Sequence, residues 1–98
     1  MEKRTPHCGL SVIKKLAEQG RVRTTNSARV GATALGMNCS DMLEVVKALS
    51  SADFYKSMTT YADHRIWQDV YRPSTPAGDI YLKLTVVDDL LIVSFKEL

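Results

Sequence analysis

The sequence contains no GxGxxG, no GxxxxGK[ST], no HExxH and no paired CxxC. A nucleotide-dependent or zinc enzyme is therefore not expected, because phosphate cradles and metal sites need those spacings. Cysteine is scarce: Cys8 and Cys39 are far apart and match no ligand pattern. Two thiols make no disulfide framework outside a secreted chain. No apolar stretch of the signal-peptide kind follows the charged N-terminus, and no apolar run is long enough to span a membrane. The expectation is a cytoplasmic protein with both cysteines reduced. His7 and His64 belong to no ligand pattern and read as solvent-facing or hydrogen-bonded structural residues. Ser11, Ser27 and Ser40 fall where caps and helix starts are expected, so none reads as a nucleophile.

What is present fits one ordinary folded domain over residues 1–98, with 45% hydrophobic and 24% charged residues and neither repeat nor linker. The net charge of +2 is unevenly placed. Residues 1–29 carry seven basic and two acidic side chains, and the remainder six basic and nine acidic. That asymmetry points toward a polyanionic partner, with a merely solvated surface as the competing reading.

The first half reads as helical. Leu10–Gln19 puts Ile13, Leu16 and Ala17 on one face, and Gly20 stops it. Thr24, Thr25, Asn26 and Ser27 are candidate caps for a second helix ending at Leu35, with Gly31 weakening its interior. Ser40 and Asp41 open a third, with Asp41 and Glu44 as its capping box and Met42, Val45, Val46 and Leu49 inward. From Asp53 the pattern turns to strands: Phe54–Thr60, His64–Arg72, then a Pro73–Asp79 loop, then Ile80–Val87 and Leu90–Lys96 around an Asp88–Asp89 turn. The fold class is α+β, an antiparallel sheet with helices grouped on one face.

The segment DFYKSMTTYADHRIWQDVYRP (Asp53–Pro73) carries a resemblance, together with MEKRTPH, LSVIKKL, the VRTT of residues 22–25 and the C-terminal LIVSFKE. Nearly end to end, and least so in residues 26–49, the chain resembles the MqsR (motility quorum-sensing regulator) toxin family. The resemblance implies a RelE-like fold and a sequence-specific mRNA interferase that cuts GCU-type sites without the ribosome. It implies a zinc-containing antitoxin partner with a helix-turn-helix DNA-binding half, MqsA-like. It implies catalytic roles for Lys56, Gln68 and Tyr81, found in YKSM, IWQDVY and IYLK, and substrate-binding roles for Met58 and Lys96. Where some relatives carry histidine in the last hairpin turn, this chain has Asp88, a carboxylate that would repel RNA.

The chemistry of these residues suits such a reaction. RNA cleavage needs no cofactor, and none is expected, because the ribose 2′-OH can attack its own 3′ phosphate. The protein has to align the attack, move protons and stabilise charge. Lysine supplies charge, tyrosine a proton or a stacking face, and glutamine an uncharged hydrogen bond. Each side chain also has an ordinary reading: Lys56 as a surface lysine, Tyr81 as a strand aromatic, Gln68 as a solvent-facing polar residue, Met58 as gap filler. Trp67, Tyr71 and Phe95 read first as core.

Alternation places Lys56 and Met58 on one face of their strand. A two-residue turn at Asp88–Asp89 pairs Val87 with Leu90, Leu84 with Val93, Leu82 with Phe95 and Tyr81 with Lys96. Tyr81, Lys83, Thr85, Ser94 and Lys96 then share the face away from the apolar pairs. Gln68 fits less simply, since Ile66 and Val70 share its face, and a bulge or a mixed face is required. Two other functions compete: a non-catalytic RNA- or protein-binding module of the same fold, and a DNA-binding regulator. The latter lacks a basic, exposed recognition helix, because Gly31 interrupts the most basic candidate.

Overall fold

Three helices and seven strands form in the computed structural model, which describes residues 1–98. Strand β1 is Glu2–Lys3, followed by α1 (Leu10–Glu18), β2 (Val22–Thr24), α2 (Asn26–Ala34) and α3 (Cys39–Lys47). Then come β3 (Phe54–Thr59), β4 (Trp67–Tyr71), β5 (Ser74–Thr75), β6 (Gly78–Val87) and β7 (Asp89–Glu97). The class is α+β, as the periodicities require. No helix is long and apolar enough to cross a membrane.

Ile13, Leu16 and Ala17 are the buried residues of α1. Thr25 caps α2: its Oγ1 accepts from Ala28 N at 3.0 Å and donates to Val93 O at 2.7 Å, so one side chain starts the helix and ties it to β7. Gly31 is more than a weak point. A Cβ there would fall 2.0 Å from Phe95 O, so glycine lets α2 lie directly against β7. The box of α3 differs from expectation. Asn38 Oδ1 accepts from Asp41 N at 2.9 Å and Asp41 Oδ2 from Asn38 N at 3.0 Å, so Asp41 closes the box rather than opening it. Asn38 caps as well as any aspartate, which starts the helix earlier.

The main sheet runs β1-β3-β4-β6-β7-β2. It is mixed, not wholly antiparallel, because β2 pairs in parallel with β7, Val22 against Leu90 and Thr24 against Ile92. Neither β1 nor β2 is legible as a strand in the sequence: two or three residues are too few to show alternation, and their partners are distant in sequence. β4 starts at Trp67 rather than His64, because Thr60 Oγ1 donates to Asp63 O at 2.8 Å and accepts from Asp63 N at 3.0 Å, holding residues 60–63 in a turn. β5 lies within the expected loop.

All three helices pack on one face. Their inward residues, Ile13, Ala28, Ala32, Met42 and Val46 among them, join Tyr71, Leu82, Leu84, Ile92 and Phe95 in a single apolar cluster. Each large side chain so buried contributes roughly 1.5–3 kcal/mol. Tyr71 and Phe95 are core as expected, whereas half-buried Trp67 lies outside the cluster.

The β6–β7 hairpin departs from the expected register and then returns to it. Val87 pairs with Asp89, Val86 with Leu90 and Leu84 with Ile92, around Asp88 alone at φ 66°. Arg21 favours this tighter turn: its Nε donates to Asp89 Oδ1 at 2.9 Å and its Nη2 to Asp88 O at 3.2 Å. Val93 then bulges out of the ladder, and pairing resumes as Lys83–Ser94, Leu82–Phe95 and Tyr81–Lys96. The expected pairs Leu84–Val93 and Val87–Leu90 are therefore wrong. The pairs nearest the strand ends are right, because the bulge restores the residue the turn removed.

Candidate active site

Directly opposed residues of an antiparallel pair point to the same side, and alternate residues along a strand do likewise. Three rows thereby form on the face away from the helices. One joins Glu2, Met58 and Gln68. The next joins Lys56, Val70, Lys83 and Ser94. The third joins Tyr81 and Lys96. Rows lie about 7 Å apart, two residues along a strand. All five residues singled out from the sequence thus share one face. Lys56, Tyr81 and Lys96 come together across adjacent rows, while Gln68 and Met58 lie one row beyond Lys56, away from Tyr81.

Gln68 reaches this face because the face is mixed. Val70 shares it yet is fully buried, beneath the longer side chains of its row. Ile66 precedes the strand, so alternation does not reach it. A bulge also occurs, but in β3, where the register shifts between Phe54 and Lys56 and leaves Tyr55 unpaired.

Two ammonium groups flank Tyr81: Lys96 Nζ is 5.3 Å and Lys83 Nζ 5.9 Å from its ring centroid. Lys56 Nζ lies 5.4 Å from the Tyr55 ring, which Arg72 also approaches to 4.5 Å. The electrostatics differ among the lysines. Burial, then the neighbouring charges of Lys96 and Lys56, push Lys83 below the ordinary lysine range. Lys56 moves the other way, because its ammonium donates to Glu2 Oε2 at 2.7 Å. Lys83, Glu2 and Tyr55 are not among the site residues that the family resemblance implies. The IYLKL alternation already placed Lys83 beside Tyr81. Nothing in the sequence marked Glu2, whose strand is two residues long.

The basic N-terminal third is not the main source of this cluster. Lys56, Lys83 and Lys96 come from the part of the chain with excess acid, and Lys15, Arg21, Arg23 and Arg29 are exposed elsewhere. On the opposite face from Lys56, Lys3 Nζ is 4.2 Å from the Trp67 ring centroid and 3.1 Å from His7 Nδ1, and His7 stacks on Trp67. His64 is exposed. Asp88, in the turn that ends β6, is seven residues from Tyr81, about 23 Å along an extended chain, so its carboxylate is remote from Tyr81. No three His, Cys, Asp or Glu side chains converge as a metal-ligand set.

A sequence profile described as motility quorum-sensing regulator, toxin of MqsA, matches residues 5–97. The chain belongs to this family. Among the relatives of this MqsR-family chain is a protein named mRNA interferase toxin MqsR, from Escherichia coli (strain K12). The two are 61% identical over 97 residues, spanning 99% of each.

Proposed function

We propose that this chain is the toxin of a toxin–antitoxin pair, an mRNA endoribonuclease that uses the open sheet face as its substrate face. The observation that carries this reading is the convergence of Lys56, Lys83 and Lys96 around Tyr81, in a chain of a toxin family with a relative named an mRNA interferase. Three cations on one sheet surface suit a phosphodiester better than an apolar ligand.

The scissile phosphate binds between Lys56 and Tyr81. Lys56 stays protonated because Glu2 raises its pKa, so it stabilises charge developing on the phosphate and takes no proton. Tyr81 holds a non-bridging oxygen through its hydroxyl, and Lys96 binds the same phosphate from across the hairpin. Lys83 gives up its proton more readily than an ordinary lysine and suits the departing 5′-oxygen. Gln68 and Met58, a row away, contact the neighbouring nucleotide, Gln68 by hydrogen bonds and Met58 by van der Waals contact. The 2′-OH attacks without a metal and leaves a 2′,3′-cyclic phosphate. Cleavage falls at GCU-type sites, needs no ribosome and takes place in the cytoplasm. The antitoxin is zinc-containing and MqsA-like, with a helix-turn-helix half that carries any DNA binding.

Incubation of the purified chain with a defined RNA in EDTA, followed by mapping of the cut ends, tests the chemistry. Cleavage leaving 2′,3′-cyclic phosphate or its 3′-phosphate product is expected. Strict magnesium dependence with 3′-hydroxyl ends would refute this mechanism, and RNA binding without cleavage would favour the non-catalytic module. In cells, expression of the chain alone should arrest growth and co-expression of its antitoxin should restore it.

A further inference from the structure

Attack by a 2′-OH needs a group to receive its proton, and the roles proposed above leave no lysine of the cluster for that task. Glu2 holds Lys56 in its charged form, and Lys83 is the donor to the departing 5′-oxygen, so it starts the reaction protonated. A base has to be already deprotonated and within reach of the ribose. Alternation puts three carboxylates on the open face: Glu2, Asp79 and Asp89. Asp79 accepts from Ser74 Oγ at 2.8 Å at one end of the hairpin, and Asp89 is held by Arg21 at the other. Glu2 alone makes an ion pair with a lysine of the cluster, to Lys56 at 2.7 Å.

We propose that Glu2 is the general base of the cleavage reaction, its carboxylate taking the proton of the ribose 2′-OH when the scissile phosphate engages the Lys56 ammonium. The proposal rests on the endoribonuclease reading above. The step balances as follows. The 2′-O–H bond breaks and its proton passes to a Glu2 carboxylate oxygen. The freed electron pair forms the O2′–P bond. The P–O5′ bond breaks, and the departing 5′-oxygen takes a proton from the Lys83 ammonium. Exchange with water returns both side chains to their starting states.

Glu2 is well placed for this role. N-terminal residues ordinarily fray, but this one is fixed. Glu2 pairs with Met58 and Lys3 with Ser57, and Thr59 N donates to Met1 O at 3.0 Å. Farther along, the buried Asp69 carboxylate accepts from His7 N and Cys8 N, each at 3.0 Å, and from Ser57 Oγ at 2.6 Å, clamping the segment that follows β1. The Glu2 side chain remains 54% exposed, so a ribose can reach it. It borders a cavity of about 170 Å³ with Met58 and Tyr61, which continues the open face beyond Lys56 and has room for part of a nucleotide. An exposed ion pair adds little stability, so the Glu2–Lys56 contact is poorly explained as a structural brace. The charges facing Glu2 are Lys56, Arg4 and the N-terminal ammonium, and the titratable side chains of Tyr61 and His64 line the same cavity. Chiefly through the Lys56 hydrogen bond, these charges hold its carboxyl below the usual range, and it is ionised at neutral pH. When phosphate shares the Lys56 ammonium, that hold weakens and the carboxylate becomes a stronger base.

The test is single-turnover cleavage of a defined RNA in EDTA across pH, with RNA affinity and thermal melting measured for each variant. E2Q should keep its fold and affinity but cleave 10²–10⁴-fold more slowly, the usual size of a general-base effect. The wild-type rate should fall as pH drops through the Glu2 pKa, and E2Q should lack that acid limb. Formate should partly restore E2A. Wild-type cleavage by E2Q overturns the proposal. So does a slow E2Q that keeps the acid limb, which would make Glu2 a positioning residue for Lys56. In either case, metal-free cleavage by the wild-type protein leaves the endoribonuclease reading intact. Wild-type 3′-hydroxyl products bring down the 2′-OH mechanism and with it the Glu2 role, whereas a wild-type protein that binds RNA without cutting it brings down the endoribonuclease reading itself.

Discussion

Tyr81 and Lys96 oppose one another across β6 and β7, with the Lys96 ammonium 5.3 Å from the centre of the Tyr81 ring. Their alignment survives a shortened turn at Asp88 because the Val93 bulge restores the register before either residue is reached. Tyr81→Phe keeps the ring between its two ammonium groups and removes only the hydroxyl. Cleavage should fall 10²–10³-fold, as when one stabilising donor is lost from a reacting oxyanion, with the melting temperature nearly unchanged. A wild-type rate in Tyr81→Phe would limit this side chain to packing. Lys96→Ala should weaken RNA binding and lower the slope of log affinity against log salt by about 0.7, the share of one phosphate contact to a single strand. An unchanged slope would leave Lys96 without a phosphate.

Lys56 and Gln68 stand in adjacent rows, so their loss should read differently. Lys56→Ala removes the charge beside the phosphate and should cost 10²–10³-fold in kcat. Gln68→Ala should act mainly on KM and on sequence preference at the cut, because its row lies beyond Lys56 from Tyr81. Comparison of cleavage at matched and altered sites separates these effects. A pure kcat defect in Gln68→Ala would bring its side chain to the reacting phosphate.

Lys83 makes a pH prediction. Its pKa is lowered by burial first and by Lys96 and Lys56 next. An acid has to be protonated to act, so activity should be present below that lowered pKa and be lost as pH rises through it. Lys96→Ala removes one of the repelling charges and should move this alkaline limb to higher pH. A limb that stays in place in Lys96→Ala would assign it to another group.

Asp69 is 2% exposed and joins β4 to the N-terminal segment through two accepted hydrogen bonds, from His7 N and Cys8 N, and to β3 through a third, from Ser57 Oγ. Asp69→Ala leaves the amides of His7 and Cys8 unpaired, while the Ser57 hydroxyl keeps only its 3.4 Å contact to Gln68 O. The expected cost is about 1–3 kcal/mol per unsatisfied group, read from the denaturant midpoint. Amide exchange at residues 7 and 8 should quicken. Because β1 also loses its anchor, cleavage should fall beyond what reduced stability explains. Unaltered exchange at both amides would show that the clamp is dispensable.

Local pattern was enough for the α+β class, the inward faces of α1 and α3 and the Tyr81–Lys96 neighbourhood, because those depend on periods of 3.6 and 2 within single segments. The resemblance carried by Asp53–Pro73 added Lys56 and Gln68, and alternation put Lys83 next to Tyr81. What the sequence alone could not decide involved contacts between distant segments too short to have a period. β2 pairs in parallel with Leu90–Ile92, and the neighbouring Arg21 and Thr25 then reshape the hairpin through Asp88, Asp89 and Val93. Gly31 reads as a helix breaker until β7 is laid against it. Val70 reads as a core residue that should exclude Gln68 from its face until lysines from two strands cover it. Glu2 is the clearest case. A two-residue strand carries no signal, and its carboxylate meets Lys56 only because Asp69, Ser57 and Thr59 hold the N-terminal segment on the sheet edge. Periodicity determines which side of an element is apolar; only the assembled sheet determines which charges share the other side.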